Sequence, residues 1–293
     1  MPAARPNDLA LFKIMLIKTR DLESKVSLFN GQDISLEYLL VGNESVPTIL
    51  FVHGVSADMR QFLPQVKFFA DKYQILLVSL RGHGRSSNPT RMNETAFNFA
   101  AFAQDLWELI QHLGINQLHY VGNSMGGMTG YELLAQHPNL FLSLTTFDTA
   151  VFMNIPPFLA KAGSRSVPMM VKVMGKQRYA NLVAKQTGKT PETVAILADA
   201  ILPNIHPQAV YLAQCNIARY DYTAVLQKMK RPYLILEREL DRGGKLMKST
   251  FAFAQANDHV HLIKIPNAGH IANLDQPELF NEHLATFLQS SQS

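Results

Sequence analysis

The chain of 293 residues predicts an α/β fold, a mostly parallel sheet with helices on both faces, and three observations carry that reading. Strand-like and helix-like segments alternate along most of its length. Two runs, Thr48 to Val52 and Ile75 to Leu80, are apolar without interruption, the mark of central strands buried on both faces. The stretch Leu118 to Tyr131, LHYVGNSMGGMTGY, reads as a strand, a tight turn and the start of a helix, with Ser124 at the apex.

In order, Lys25 to Phe29 and Ile34 to Val41 predict an opening hairpin turned by Asn30-Gly31. A helix over Arg60 to Lys72 separates the two apolar strands. Thr95 to Leu113 predicts a long amphipathic helix with Asn93 or Thr95 as its cap. The strand before Ser124, a helix to about His137 and a strand over Leu142 to Phe147 follow. After Lys228 come a strand over Tyr233 to Leu236, a helix over Lys245 to Ala256, a strand over Val260 to Ile265 and a closing helix over Pro277 to Leu288, with Pro277 suited to its first turn.

The alternation stops between residues 151 and 228. This part is rich in methionine, is broken by Pro156, Pro157, Pro168, Pro191, Pro203 and Pro207, and predicts helical pieces without strands. It divides the chain into a core of residues 1–150 and 229–293 and a helical insertion at 151–228.

With 47% hydrophobic and 17% charged residues the chain can bury a large core. Its net charge of +4 comes from scattered Lys and Arg with no basic run of the length of a binding patch, which argues against a nucleic-acid partner. One cysteine, Cys215, excludes an internal disulfide and a Cys-rich metal site, and is expected to be a small buried hydrophobe in a cytoplasmic protein. Leu9 to Ile17 is apolar but is broken by Lys13 and is too short to span a bilayer; it is expected to rest on the domain rather than on a membrane surface.

Glycines at positions 122 and 126, two before and two after Ser124, suit a strained turn that lifts the hydroxyl clear of the sheet. The helix that follows offers free N–H groups and a positive dipole end to a developing oxyanion. A serine hydroxyl is a weak nucleophile at neutral pH and needs a base and a third group that orients the base. His270, in a glycine-containing loop directly after an apolar strand, is the candidate base.

This turn resembles the nucleophile elbow of the α/β-hydrolase superfamily, in its serine esterase and lipase-like branch with a helical cap. The resemblance extends from about Ile34 to Phe287. Phe51-Val52-His53-Gly54-Val55 looks like the oxyanion-loop motif, Arg81-Gly82-His83-Gly84-Arg85-Ser86 like the glycine-rich loop after the next strand, and Asn267-Ala268-Gly269-His270 like the catalytic histidine loop. It implies an α/β-hydrolase fold whose residues 151–228 cap the active site. By the same resemblance His53 and His83 brace loops. The acid is Asp241, in the order Ser, Asp, His, with Asp148 after the preceding strand as the alternative. The backbone N–H groups of Val55 and Met125 are the expected oxyanion donors. The sequence departs from the pattern at Arg238, where a glycine is usual.

The implied activity is hydrolysis of a small-molecule carboxylic ester, lactone or thioester through an acyl-enzyme on Ser124, with no metal or organic cofactor. A carbon-carbon bond hydrolase of the meta-cleavage-product type is the alternative, because the elbow sequence is similar; against it, the loop at His53 lacks that group's glycine-rich character and Ile271 stands where a tryptophan is usual. A hydrolase-like ligand receptor without multiple turnover is the reading from another class. Phe152, Met153, Phe158, Leu159, Met169, Met170, Val173 and Met174 are expected to bury part of their surface against a closed pocket for small to medium acyl groups.

Overall fold

The computed structural model describes Leu22 and residues 24–238 and 248–291. The N-terminal apolar segment and Asp241 lie outside the described residues. The strands are β1 (Val26–Asn30), β2 (Ser35–Val41), β3 (Thr48–Val52), β4 (Gln74–Ser79), β5 (Leu118–Asn123), β6 (Phe141–Phe147), β7 (Phe152–Asn154), β8 (Arg219–Asp221), β9 (Tyr233–Arg238) and β10 (Val260–Ile265). The helices are α1 (Leu63–Phe69), α2 (Phe99–His112), α3 (Met125–Gln136), α4 (Pro157–Ser164), α5 (Ser166–Met174), α6 (Lys176–Thr187), α7 (Pro191–Ile196), α8 (Pro207–Ile217), α9 (Thr223–Lys228), α10 (Lys248–Gln255), α11 (Ala272–Asp275) and α12 (Pro277–Ser290).

Eight strands form one sheet in the order β1-β2-β4-β3-β5-β6-β9-β10. β2 is antiparallel to both β1 and β4, and every other pair is parallel. The chain moves outward from β3 to β4 and then crosses back to place β5 on the other side of β3. That reversal is a topological switch point, and in open α/β sheets ligands bind at such a point, outside the carboxyl ends of the strands.

Each face of the sheet is covered by helices. On one, Phe102, Leu106, Leu109 and Ile110 of α2 and Met128 and Leu133 of α3 pack on Leu50, Leu76, Tyr120 and Leu144. On the other, Val66 and Phe69 of α1 and Phe280, Leu284 and Leu288 of α12 pack on Phe51, Leu77, Val121 and Phe147. Side chains of this size contribute roughly 1.5–3 kcal/mol each when fully buried. Between β6 and β9 a third apolar cluster forms, in which Tyr179, Ala184, Ile196, Ile201 and Val210 meet Ala57 and Ile271.

Three local expectations are corrected. The long helix begins at Phe99 and is capped by Asn98, whose side chain accepts from Ala101 N at 2.8 Å. Asn93 instead caps the short 3₁₀ turn before it, accepting from Ala96 N at 2.9 Å. The insertion also contains strands, because β7 and β8 pair antiparallel at its base; at three residues each they are too short to show alternation. Cys215 is half-buried rather than buried, at the end of α8.

Candidate active site

Ser124 joins β5 to α3 with φ 49° and ψ −113°, a conformation that costs a non-glycine residue on the order of 1–3 kcal/mol. Its surroundings enforce it. Ser124 N donates to Phe147 O at 3.0 Å, and Ser124 O accepts from Met128 N at 3.1 Å. A Cβ on Gly122 would lie 2.6 Å from Gly127 N, and one on Gly126 would run into the Val52 carbonyl, so α3 can approach the sheet only without those side chains. Met125 is the first residue of α3, and its N–H therefore has no acceptor within the helix.

His270 lies in the loop after β10, and Asp148 follows β6 with φ 50°. The Asp148 side chain is almost fully enclosed, at 1% exposure, and its Oδ1 stands 3.6 Å from His270 Nδ1 and 3.1 Å from Arg238 Nε. Neither contact is aligned as a hydrogen bond, since both Asp148 oxygens and Arg238 Nε are without one. Among the described residues the geometry thus brings Asp148 to His270, and Asp241 lies outside them. Arg238, the departure at the end of β9, has this carboxylate as its neighbour.

The loop after β3 runs beside Ser124, for a Cβ on Gly54 would lie 3.4 Å from Ser124 Cβ and 2.7 Å from Asn123 Oδ1. Its shape is set by His53, whose Nε2 accepts from Leu80 N at 2.9 Å and whose Nδ1 therefore donates to Gly54 O at 2.7 Å. Burial, aided by the His83 ring 5.1 Å away, pushes the His53 imidazole down to about 3. His83 is pushed down to about 4 by burial, and its Nδ1 contacts Arg81 O at 2.9 Å. Both rings are thus neutral and committed to holding backbone, as expected for loop braces.

Two further sets of contacts were not foreseen. A buried amide network links the end of β5, the start of α1 and α11: Gln61 Nε2 donates to Asn123 Oδ1 and Asn273 Oδ1, both at 3.1 Å, and Asn273 Nδ2 donates to Gln65 Oε1 at 3.0 Å. Asn123 Nδ2 continues it to His270 O at 3.3 Å. The residue before the serine is thereby tied to the histidine backbone. Asp275 of α11 holds the other side of the histidine loop: its Oδ2 accepts from Gly269 N at 2.9 Å while its Oδ1 accepts from Lys189 N at 2.8 Å in the insertion. Amides and aspartates at helix starts are common as caps, so nothing in the sequence singled these out.

Of the insertion residues expected to face a pocket, Met170 and Met174 pack on the third apolar cluster, whereas Phe152, Phe158, Leu159, Met169 and Val173 are exposed. A cleft of about 410 Å³ lies within the insertion, lined among others by Met153, Ile155, Leu159, Val167, Gln214 and Ile217; Ser124 and His270 are not part of it. Among the described residues no group of three or more His, Cys, Asp or Glu is placed to hold a metal ion, and no helix is long and apolar enough to cross a membrane.

Residues 47–277 match the profile of a family described as alpha/beta hydrolase fold. A 3-oxoadipate enol-lactonase of Acinetobacter baylyi is 26% identical, over 86% of this chain and 92% of its own. In structure, an esterase from Thermogutta terrifontis superposes with a TM-score of 0.78 at 24% identity, covering 92% of this chain and 99% of that one. The enol-lactonase from Burkholderia xenovorans gives a TM-score of 0.75 at 20% identity, over 90% and 100%.

Proposed function

Because the chain belongs to the alpha/beta hydrolase fold family, we propose that it is a serine hydrolase that cleaves carboxylic esters, or the related lactones and thioesters, through an acyl-enzyme on Ser124. What supports this reading is the serine held at positive φ on the N-terminus of α3, the tie from the preceding Asn123 Nδ2 to His270 O at 3.3 Å, and Asp148 Oδ1 at 3.6 Å from His270 Nδ1. In this reading His270 takes the Ser124 proton as the hydroxyl attacks the acyl carbon, then returns it to the leaving alcohol or thiol. Asp148 orients the imidazole and stabilises its cationic form. Asp241 is the competing acid. The N–H groups of Val55 and Met125 receive the oxyanion, and loss of one such donor costs about 3 kcal/mol of transition-state stabilisation.

Residues 151–228 act as a cap. Their contact with Ala57 and Ile271 in the third apolar cluster supports this, as does the Asp275 link between the histidine loop and Lys189. A covered site favours small to medium acyl groups, with kcat/KM higher for acetyl to hexanoyl esters than for palmitoyl esters. The enol-lactonase relative keeps a cyclic ester within the substrate class.

The test is a fluorophosphonate label located by mass spectrometry, followed by kcat/KM across an acyl series and a lactone panel. Labelling at Ser124 with multiple turnovers supports the reading. Labelling at another serine, or a single turnover with tight binding, removes it.

A further inference from the structure

Between Asp148 and Glu192 lie 43 residues without a single Asp or Glu, and they include seven Lys and Arg. The whole chain carries only +4, so the rest of it is net negative. This acid-free segment, whose cations are spaced rather than consecutive, builds β7 and α4 to α6. The one ion pair found for the segment among the described residues is Lys161 with Glu94 at 2.8 Å. Arg165, Lys172, Lys176, Arg178 and Lys185 are all exposed.

The same elements present apolar side chains to solvent. On α4 Phe158 is 71% and Leu159 54% exposed; on α5 Met169 is 63% and Val173 81% exposed, and these two, four positions apart, share one face. Both helices line the cleft of about 410 Å³, through Leu159 and Val167. Isolated exposed apolar residues are ordinary, but large ones in adjacent helices, interleaved with cations, are the composition of a surface that lies in a lipid interface.

We propose that this α4–α5 face is a peripheral docking surface for an anionic lipid bilayer. The apolar tips enter the headgroup–acyl boundary and the basic side chains meet acidic headgroups. A second copy of the chain is disfavoured as the occupant, because a two-fold contact would bring the acid-free segment against itself. The proposal concerns binding and stands whether or not the esterase reading holds.

The test is co-sedimentation of the full chain with phosphatidylcholine vesicles, with and without about 30% phosphatidylglycerol. Binding is expected only with the anionic lipid, and should fall about tenfold or more between ~50 and ~500 mM salt. Met169→Ser with Val173→Ser, and separately Lys172→Gln with Arg178→Gln, should each weaken it at least about fivefold while unfolding temperature and turnover of a soluble short-chain ester stay unchanged. Absence of binding, equal binding to neutral vesicles, or full binding by both double variants overturns the proposal. So does a dimer in sedimentation velocity that Met169→Ser with Val173→Ser dissolves, without vesicle affinity.

Discussion

Asp148 Oδ1 stands between a guanidinium and an imidazole, 3.1 Å from Arg238 Nε and 3.6 Å from His270 Nδ1. In the proposed mechanism this carboxylate orients His270 and faces the imidazolium as it forms. Asp148→Asn should therefore lower kcat by about 10³–10⁴ by favouring the wrong tautomer of His270. Asp241→Asn should be mild, and Arg238→Gln intermediate. Steady-state kinetics on one ester decides the ranking, and a larger loss for Asp241→Asn moves the acid to the later strand.

Ser124→Ala should abolish ester turnover by several orders of magnitude, since the nucleophile and its base fail as a unit. The unfolding temperature should not fall, because the hydroxyl makes no packing contact on which the elbow depends and alanine meets the same backbone strain. Residual turnover within a factor of ten of the parent would falsify the assignment.

Asp275→Ala should remove the acceptor of Gly269 N and Lys189 N together. Buried donors left without partners cost about 1–3 kcal/mol each at most, so a drop in stability of that order is expected. The loss should fall on kcat more than on KM, because the histidine loop is misplaced while the acyl pocket stays. Calorimetry and kinetics on the same preparation separate the two effects, and an unchanged kcat in a destabilised variant would show that Asp275 serves folding alone.

Stability should decline on acidification below about pH 6.5. Burial holds His53 near about 3, and His83 and His119 near about 4, so between those values and 6.5 the unfolded chain binds protons that the folded chain refuses. Each fully buried histidine then subtracts on the order of 1 kcal/mol per pH unit. Asp58 and Asp105, raised to about 6 by burial, act in the opposite sense between 3.8 and 6, because there the folded chain keeps protons that the unfolded chain has released. The net slope stays positive with pH, and His119→Gln should flatten it. A melting temperature independent of pH from 7 down to 5 would contradict this balance.

The sheet, its flanking helices and the serine turn were legible because each depends on local pattern: continuous apolar runs, a 3.6-residue period, glycines spaced about Ser124. That Asp148 stands beside His270 was not legible, since which strand end lies next to the histidine is a property of the assembled sheet, and Asp241 lies outside the described residues. Arg238 could be seen as a departure, but its partner could not. Phe158, Leu159, Met169 and Val173 show a related limit: periodicity reports that a helix has an apolar face, not whether that face meets protein or solvent. The Gln61, Asn123 and Asn273 network joins residues up to 212 positions apart, beyond the reach of any motif.

In folding, the short β7–β8 pair changes the order in which contacts become affordable to an unfolded chain. β6 and β9 pair Leu144 with Tyr233, 89 positions apart, the largest gap between neighbouring strands of the sheet. Once Phe152 has met Asp221 across the neck, the segment still free between those two strands shrinks to about 20 residues, and the entropy of closing it falls by about 1 kcal/mol. A helical insertion that condenses early thus shortens the search for the last strands, and carries Asp148 and Arg238 to the same edge of the sheet before β10 delivers the histidine.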